Sequence, residues 1–196
     1  MREWMQNYTE TPNFRVNFIE PCSKFGEPPE DGRLRGCPGF NCRNLLALSE
    51  QMQVQQWLWN FHSQFRALTP KPSEVRIVLY CNHGRHRSVG MSRALDWCFA
   101  EHGCVVKTVH LGKKFGSWDK MACKGTCGEC TATGSKDAEN LDRARINFLK
   151  SWHSARDGCE KDAACNYHLA RVRASDHVQC VYFDVLQRSN RQRSAV

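Results

Sequence analysis

The stretch that most constrains this chain lies between residues 75 and 111. Val75-Arg76-Ile77-Val78-Leu79-Tyr80 is a β-rich apolar run that suits a buried strand. A polar loop follows at once. Val89, Met91, Ala94, Leu95, Trp97, Cys98 and Phe99 then suit a helix that stops near Gly103, and Cys104 to Leu111 reads as a second strand. Strand, loop, helix, strand is a β-α-β unit, which requires parallel strands joined by a crossover. A chain organised around such a unit is an α/β protein, neither a helical bundle nor an antiparallel sandwich.

The flanking segments extend this plan. Phe14 to Ile19 has a β-like pattern and runs into a Pro- and Gly-punctuated loop from Pro21 to Gly39. From Ser49 to Leu68, Val54, Trp57, Leu58, Phe61, Phe65 and Leu68 step by three or four, which predicts a helix with Ser49 as its cap, ended by Thr69-Pro70-Lys71-Pro72. Leu141, Ala144, Phe148, Leu149 and Trp152 predict another helix over Asp137 to His153. Between Asp157 and Gln187 helix and strand both stay open, and the tail from Arg188 is short, basic and expected to fray. The expected fold is α/β, with a small, mainly parallel sheet, flanking helices and a Cys-containing C-terminal extension. The division placed on it is an α/β domain over 14–116 and a partly helical extension over 117–196.

With 196 residues, 41% hydrophobic and 24% charged, the chain has ordinary globular composition, which sets aside disordered, collagen-like and coiled-coil classes. No apolar run approaches the length of a membrane span. The N-terminus lacks the apolar core of a secretory signal, so the expected setting is intracellular and cytoplasmic, with reduced thiols. A formal charge of +8 favours anionic partners: phosphorylated small molecules, RNA or acidic proteins.

The loop Cys81-Asn82-His83-Gly84-Arg85-His86-Arg87-Ser88 carries the chemistry. Between a parallel strand and a helix, such a loop aims backbone N–H groups inward while the helix presents the positive end of its dipole. Gly84 admits close backbone approach, and Arg87 can grip two phosphate oxygens through its planar fork. The spacing Cys-x-x-Gly-x-x-Arg-Ser resembles the phosphate loop of cysteine-dependent phosphatases, in which the cysteine, here Cys81, is the nucleophile and the arginine, here Arg87, clamps the phosphate. That chemistry also needs a general acid. Asp31 and Asp119 lie on suitable loops, but no Trp-Pro-Asp motif occurs, and Tyr80 stands where a histidine is usual. Phosphate binding without hydrolysis is the preferred reading.

The order of motifs resembles the C-terminal domain of the RNase adapter RapZ family, with its Gly-Cys-Thr-Gly-Gly-x-His-Arg-Ser loop after a strand. Cys81, Gly84, His86, Arg87 and Ser88 match that loop, while Asn82 and His83 replace its Thr and Gly. Lys24-Phe25-Gly26 followed by Pro28-Pro29 resembles the family's Lys-His-Gly-Pro-Pro segment, and Arg35-Gly36-Cys37-Pro38-Gly39 resembles its Arg-x-x-Pro-Asn element. His110 falls where the family has a histidine at the end of the next strand. The resemblance spans residues 14 to 116. It implies a domain that binds a phosphorylated sugar, nucleotide or similar anion and takes part in RNA and protein recognition, with Lys24, Gly26, Arg35, His110 and loop 81–88, Arg85 included, at the ligand. No Gly-x-x-x-x-Gly-Lys-Ser/Thr motif occurs, so the family's ATPase chemistry is not expected.

Cys123, Cys127 and Cys130 give three thiols at spacings of four and three, a chelate suited to zinc. The fourth ligand is missing locally, and Cys104, His110, Cys159 and Cys165 are the candidates. This opens a further alternative, a zinc-stabilised interaction module over residues 117–196. Cys98 and Cys180 read instead as small core residues. Lys113, Lys114, Lys120 and Lys124 surround Phe115 and Trp118, a pattern that can grip phosphates and stack on bases. The plainer reading puts both rings, like those of Trp57 and Trp59, against the core.

Overall fold

The computed structural model describes residues 16–27, 32–67, 74–114, 116–157 and 179–186. Its strands are β1 (Val16–Pro21), β2 (Glu74–Cys81), β3 (Val105–His110) and β4 (Gln179–Leu186). Its helices are α1 (Gly32–Arg35), α2 (Cys42–Ser49), α3 (Met52–Ala67), α4 (Arg87–Ala100), α5 (Leu111–Lys114), α6 (Gly128–Thr131) and α7 (Ser135–Asp157), with 3-10 turns at Cys22–Lys24 and Ser117–Lys120. The strands form one all-parallel sheet in the order β1-β2-β4-β3. The α/β expectation holds. No helix among the described residues is long and apolar enough to cross a membrane.

The sheet adds to the sequence reading. The strands β2 and β3 are parallel, but they are not neighbours, because β4 pairs with both. Residues 179–186 are therefore a strand, which settles part of the stretch left open between Asp157 and Gln187. Residues 179–186 complete the sheet, and α7 packs on α2, α3 and α4, with Ala144, Phe148 and Trp152 in the same apolar cluster as Phe18, Val75, Ile77 and Leu79. The basic tail, Phe14, Pro28, Pro29, Asp31, Phe115, Cys159 and Cys165 lie outside the described residues.

The core follows from alternation on β2. Val75, Ile77, Leu79 and Cys81 face one way and meet Leu45, Leu48, Val54, Leu58, Phe61, Met91, Leu95 and Phe99 from the helices. Trp57 stacks on Phe61 with ring centroids 4.9 Å apart, as the core reading expects. Trp59 does not follow it: two residues on and on the opposite side of α3, it is 45% exposed and lines a cleft with Lys150 of α7. Cys98 is fully buried in the core, and burial holds its thiol well above the ordinary range.

The helix expected from Ser49 begins three residues later. Residues Cys42–Ser49 are already helical, and Ser49 closes that helix by donating to the Leu46 carbonyl at 2.7 Å. That shorter helix has its own cap, Asn41, whose Oδ1 accepts from the backbone N–H of Arg43 (3.0 Å) and Asn44 (3.4 Å). This cap matters to the sites below, because its other side-chain atom points to the cysteines.

Candidate metal centre and anion-binding loop

Cys37, Cys123, Cys127 and Cys130 bring four sulfur atoms within 4.8 Å of one another. Cys37 and Cys127 are 3.7 Å apart at Sγ, and Cys123 and Cys130 are 3.6 Å apart. A tetrahedral zinc site with Zn–S near ~2.3 Å has sulfur–sulfur edges of about 3.8 Å, so the donor set fits zinc in number, type and spacing. All four cysteines are free thiols. The fourth member is Cys37, not Cys104 or His110. It was assigned in sequence to a phosphate-type element, and it reaches the cluster from 90 residues before Cys127.

Local backbone explains the arrangement. After Cys123 the chain turns sharply through Lys124 (φ 50°) and Gly125 (φ 90°), which brings the Cys127 N–H within 3.4 Å of the Cys123 sulfur. Gly125 is required there for a second reason: a Cβ would lie 2.6 Å from the Phe40 ring. Asn41, fully buried, donates through Nδ2 to the Cys130 sulfur at 3.6 Å and to Glu129 Oε2 at 3.2 Å. Such N–H···S bonds orient thiolates and soften their charge.

The protonation pattern makes the same point. Burial, then bonds to Cys123 and Cys127, pushes the Cys37 thiol up to about 12. Burial likewise raises Cys130. Burial opposes ionisation of Cys123 too, but hydrogen bonds from Cys127, Gly125 and Cys130 outweigh it and bring that thiol down to about 6. The protein alone therefore favours one thiolate, Cys123, and disfavours ionisation of Cys37 and Cys130, an opposition that a bound cation would relieve. Cys42 stands outside the cluster, bonded to Asp137 Oδ1 at 3.7 Å and raised to about 11 by burial and that carboxylate.

The second site is the 81–88 loop at the start of α4. Gly84 takes a left-handed conformation, φ 59°. Cys81, 3% exposed, places its sulfur 3.2 Å from the Ser88 hydroxyl. Arg87, 7% exposed, donates to the carbonyls of Ser23 (3.1 Å) and Phe25 (2.9 Å) and pairs with Glu27 at 2.7 Å. His86 meets the Arg35 carbonyl at 3.0 Å. Burial, reinforced by Arg85 and His83, lowers its basicity against the pull of that carbonyl and Glu27. Trp118, on the turn carrying Asp119, donates to the Gly84 carbonyl at 3.1 Å, and its ring lies 5.4 Å from His110.

The structure thus brings the three motifs together. Gly26, Gly39, Asn44, Gln51, His86 and Arg87 line one narrow crevice at the α4 N-terminus. Asn44 was not singled out in the sequence; its Nδ2 donates to the Leu34 and Pro38 carbonyls, while its buried Oδ1 has no hydrogen-bond partner. Arg85 has a buried Nε in the same condition. Lys24 turns instead to Glu20 at 3.2 Å and to the rings of Phe25 and Trp57. Asn82 and His83 are exposed on the outer side of the loop. Trp118 is an interior residue, packed with Val89 and Met121, so it is no platform for a base. Comparisons with protein-family models, curated proteins and solved structures found no match to this chain.

Proposed function

We propose that the chain is a zinc-stapled α/β domain that binds a phosphorylated small molecule at the 81–88 loop without hydrolysing it, in the manner the RapZ C-terminal resemblance implies. The observation that carries this reading is that one residue from each of two separated motifs, Gly26 and Gly39, meets His86 and Arg87 of the 81–88 loop on one narrow crevice at the N-terminus of a 14-residue helix. The unpartnered Asn44 Oδ1 in that crevice is an acceptor, which suits a ligand that carries hydroxyl donors beside its phosphate. Arg87 supplies the cation, and its present carboxylate partner, Glu27, is an internal substitute for an anion.

Zinc is the metal proposed for the four cysteines, because a closed all-thiolate set is a structural zinc arrangement with no position left for a substrate. Tying residues 90 apart in sequence is worth roughly 4 to 5 kcal/mol by the chain-entropy reasoning used for disulfides.

Binding is favoured over phosphatase chemistry by the position of Arg87. Its fork is directed at Ser23, Phe25 and Glu27, while the nearest group to the Cys81 sulfur is the Ser88 hydroxyl. The test uses the zinc-loaded full chain, titrated with inorganic phosphate and with a hexose phosphate and also assayed for release of phosphate from an aryl phosphate. Saturable binding lost in Arg87→Ala, with no turnover, is expected. Turnover abolished by Cys81→Ser would replace this reading with a cysteine-dependent phosphatase. An RNA-adapter role predicts in addition RNA binding that weakens steeply with salt.

A further inference from the structure

The metal cluster and the anion loop are joined by a short run of hydrogen bonds. Two of three consecutive loop residues are held by the strap that carries Cys37, and the third by Trp118, five residues before Cys123. Gly84 accepts from Trp118 Nε1 at 3.1 Å, Arg85 accepts from the Gly39 N–H at 2.8 Å, and His86 meets the Arg35 carbonyl at 3.0 Å. Arg35 and Gly39 flank Cys37 by two residues on either side, and the Gly36 carbonyl between them accepts from the Cys123 N–H at 3.1 Å. The strap 35–39 therefore touches the cluster through Cys37 and Gly36, and the loop through both of its ends.

That strap has no slack. A Cβ on Gly39 would collide with the His86 carbonyl and lie 2.7 Å from the Gly90 N–H, so the strap and the start of α4 are at backbone contact. Phe40 closes the other side, its ring 5.8 Å from that of Trp118 and against the turn at Gly125.

We infer that the Cys37–Cys123–Cys127–Cys130 centre controls the 81–88 loop: metal held by the four sulfurs fixes the strap 35–39 and the Trp118 turn, these fix Gly84–Arg85–His86 in the anion-accepting shape, and loss of the metal releases it. The inference rests on the zinc and anion-binding readings above and adds a coupling between them, which neither requires. Coupling of this kind is reciprocal, so an anion in the crevice should also tighten metal retention. Arg35 is a positioning residue in this scheme, acting through its carbonyl on His86, while Gly39 both holds the Arg85 carbonyl and lines the crevice.

The experiment measures amide hydrogen exchange across the full chain, together with affinity for inorganic phosphate, in the zinc-loaded protein, after chelation, and in Gly39→Ala. Gly39→Ala keeps all four thiols and stays informative even if the metal-free chain unfolds; because Gly39 also lines the crevice, exchange at the loop amides, more than phosphate affinity, reads the strap-to-loop contact. The expected result is full zinc content in Gly39→Ala with exchange at residues 84–86 at least tenfold faster, β2 unchanged, and phosphate affinity at least tenfold weaker. Chelation is expected to do the same. Gly39→Ala with zinc retained and loop exchange and phosphate affinity as in the wild type would overturn the coupling while leaving both sites standing. A folded wild-type chain that takes up no zinc would overturn the coupling together with the zinc reading. Zinc-loaded wild type that ignores phosphate would overturn the anion reading and the affinity half of the coupling.

Discussion

The two sites differ in what they lack. The cysteine cluster gathers four groups of one kind, of which burial holds at least Cys37 and Cys130 protonated, whereas the 81–88 loop gathers cations and N–H donors and has already found an internal carboxylate, Glu27, for Arg87. One site offers a full set of four sulfur ligands at metal-binding spacing. The other is partly self-satisfied, so an anion must displace Glu27 and earn only the difference. The contrast teaches that convergence of motifs marks a place, while the unsatisfied chemistry there indicates what should come to it: thiols crowded at zinc spacing in one case, the orphan Asn44 acceptor in the other.

The contrast breaks most visibly at the metal. Cys127→Ser is expected to abolish stoichiometric zinc binding and lower Tm by roughly 10 to 15 °C, the scale of about 4 to 5 kcal/mol in a chain of this size. An unchanged Tm by calorimetry would remove the metal from the stability account. Trp152→Ala separates metal from core: Trp152 is fully buried, stacks on His62 at 4.1 Å and donates to His102 at 2.8 Å, so about 3 to 5 kcal/mol should be lost. Zinc content should stay whole in that variant.

At the loop the effects are smaller. Glu27 is more than half exposed, so Glu27→Gln is expected to change stability by less than about 1 kcal/mol. It should strengthen phosphate binding by roughly three- to tenfold, because Arg87 then loses its substitute anion. Weaker binding in that variant would mean that Glu27 helps to hold the ligand. The smallest effect is with pH. Burial lowers the folded His86 below its ordinary value near 6.5, so the unfolded chain binds the extra proton first. Its contribution to stability is full above about pH 6.5 and declines as pH falls below it. A melt series in which His86→Gln flattens that decline would confirm the assignment, and an unchanged slope would assign it to other groups.

Much of the frame was legible because it is local. The apolar runs of β2 and α4 and the periodic positions of α3 and α7 each carry their own signal, and Gly84 and Arg87 announce the loop between them. What escaped the sequence depends on distance. Asn41 caps a short helix whose three apolar positions are too few to stand out, and the Ser49 signal nearby belongs to the same helix's end. The central place of β4 follows from pairing with β2 and β3, which no local pattern encodes. Cys37 lies in a five-residue element that also fits a phosphate motif, and only the fold places it beside Cys127. Its one sequence signal was its position in a tight Cys-Pro-Gly turn, the kind of backbone that presents a thiolate.

The most direct measurement is the metal content of the purified full chain by elemental analysis, for wild type and for Cys37→Ser. The account predicts one zinc per wild-type chain and almost none in Cys37→Ser, because the distant fourth ligand closes the site. A Cys37→Ser chain that keeps a full equivalent of zinc, or a wild type that is folded and metal-free, would contradict it.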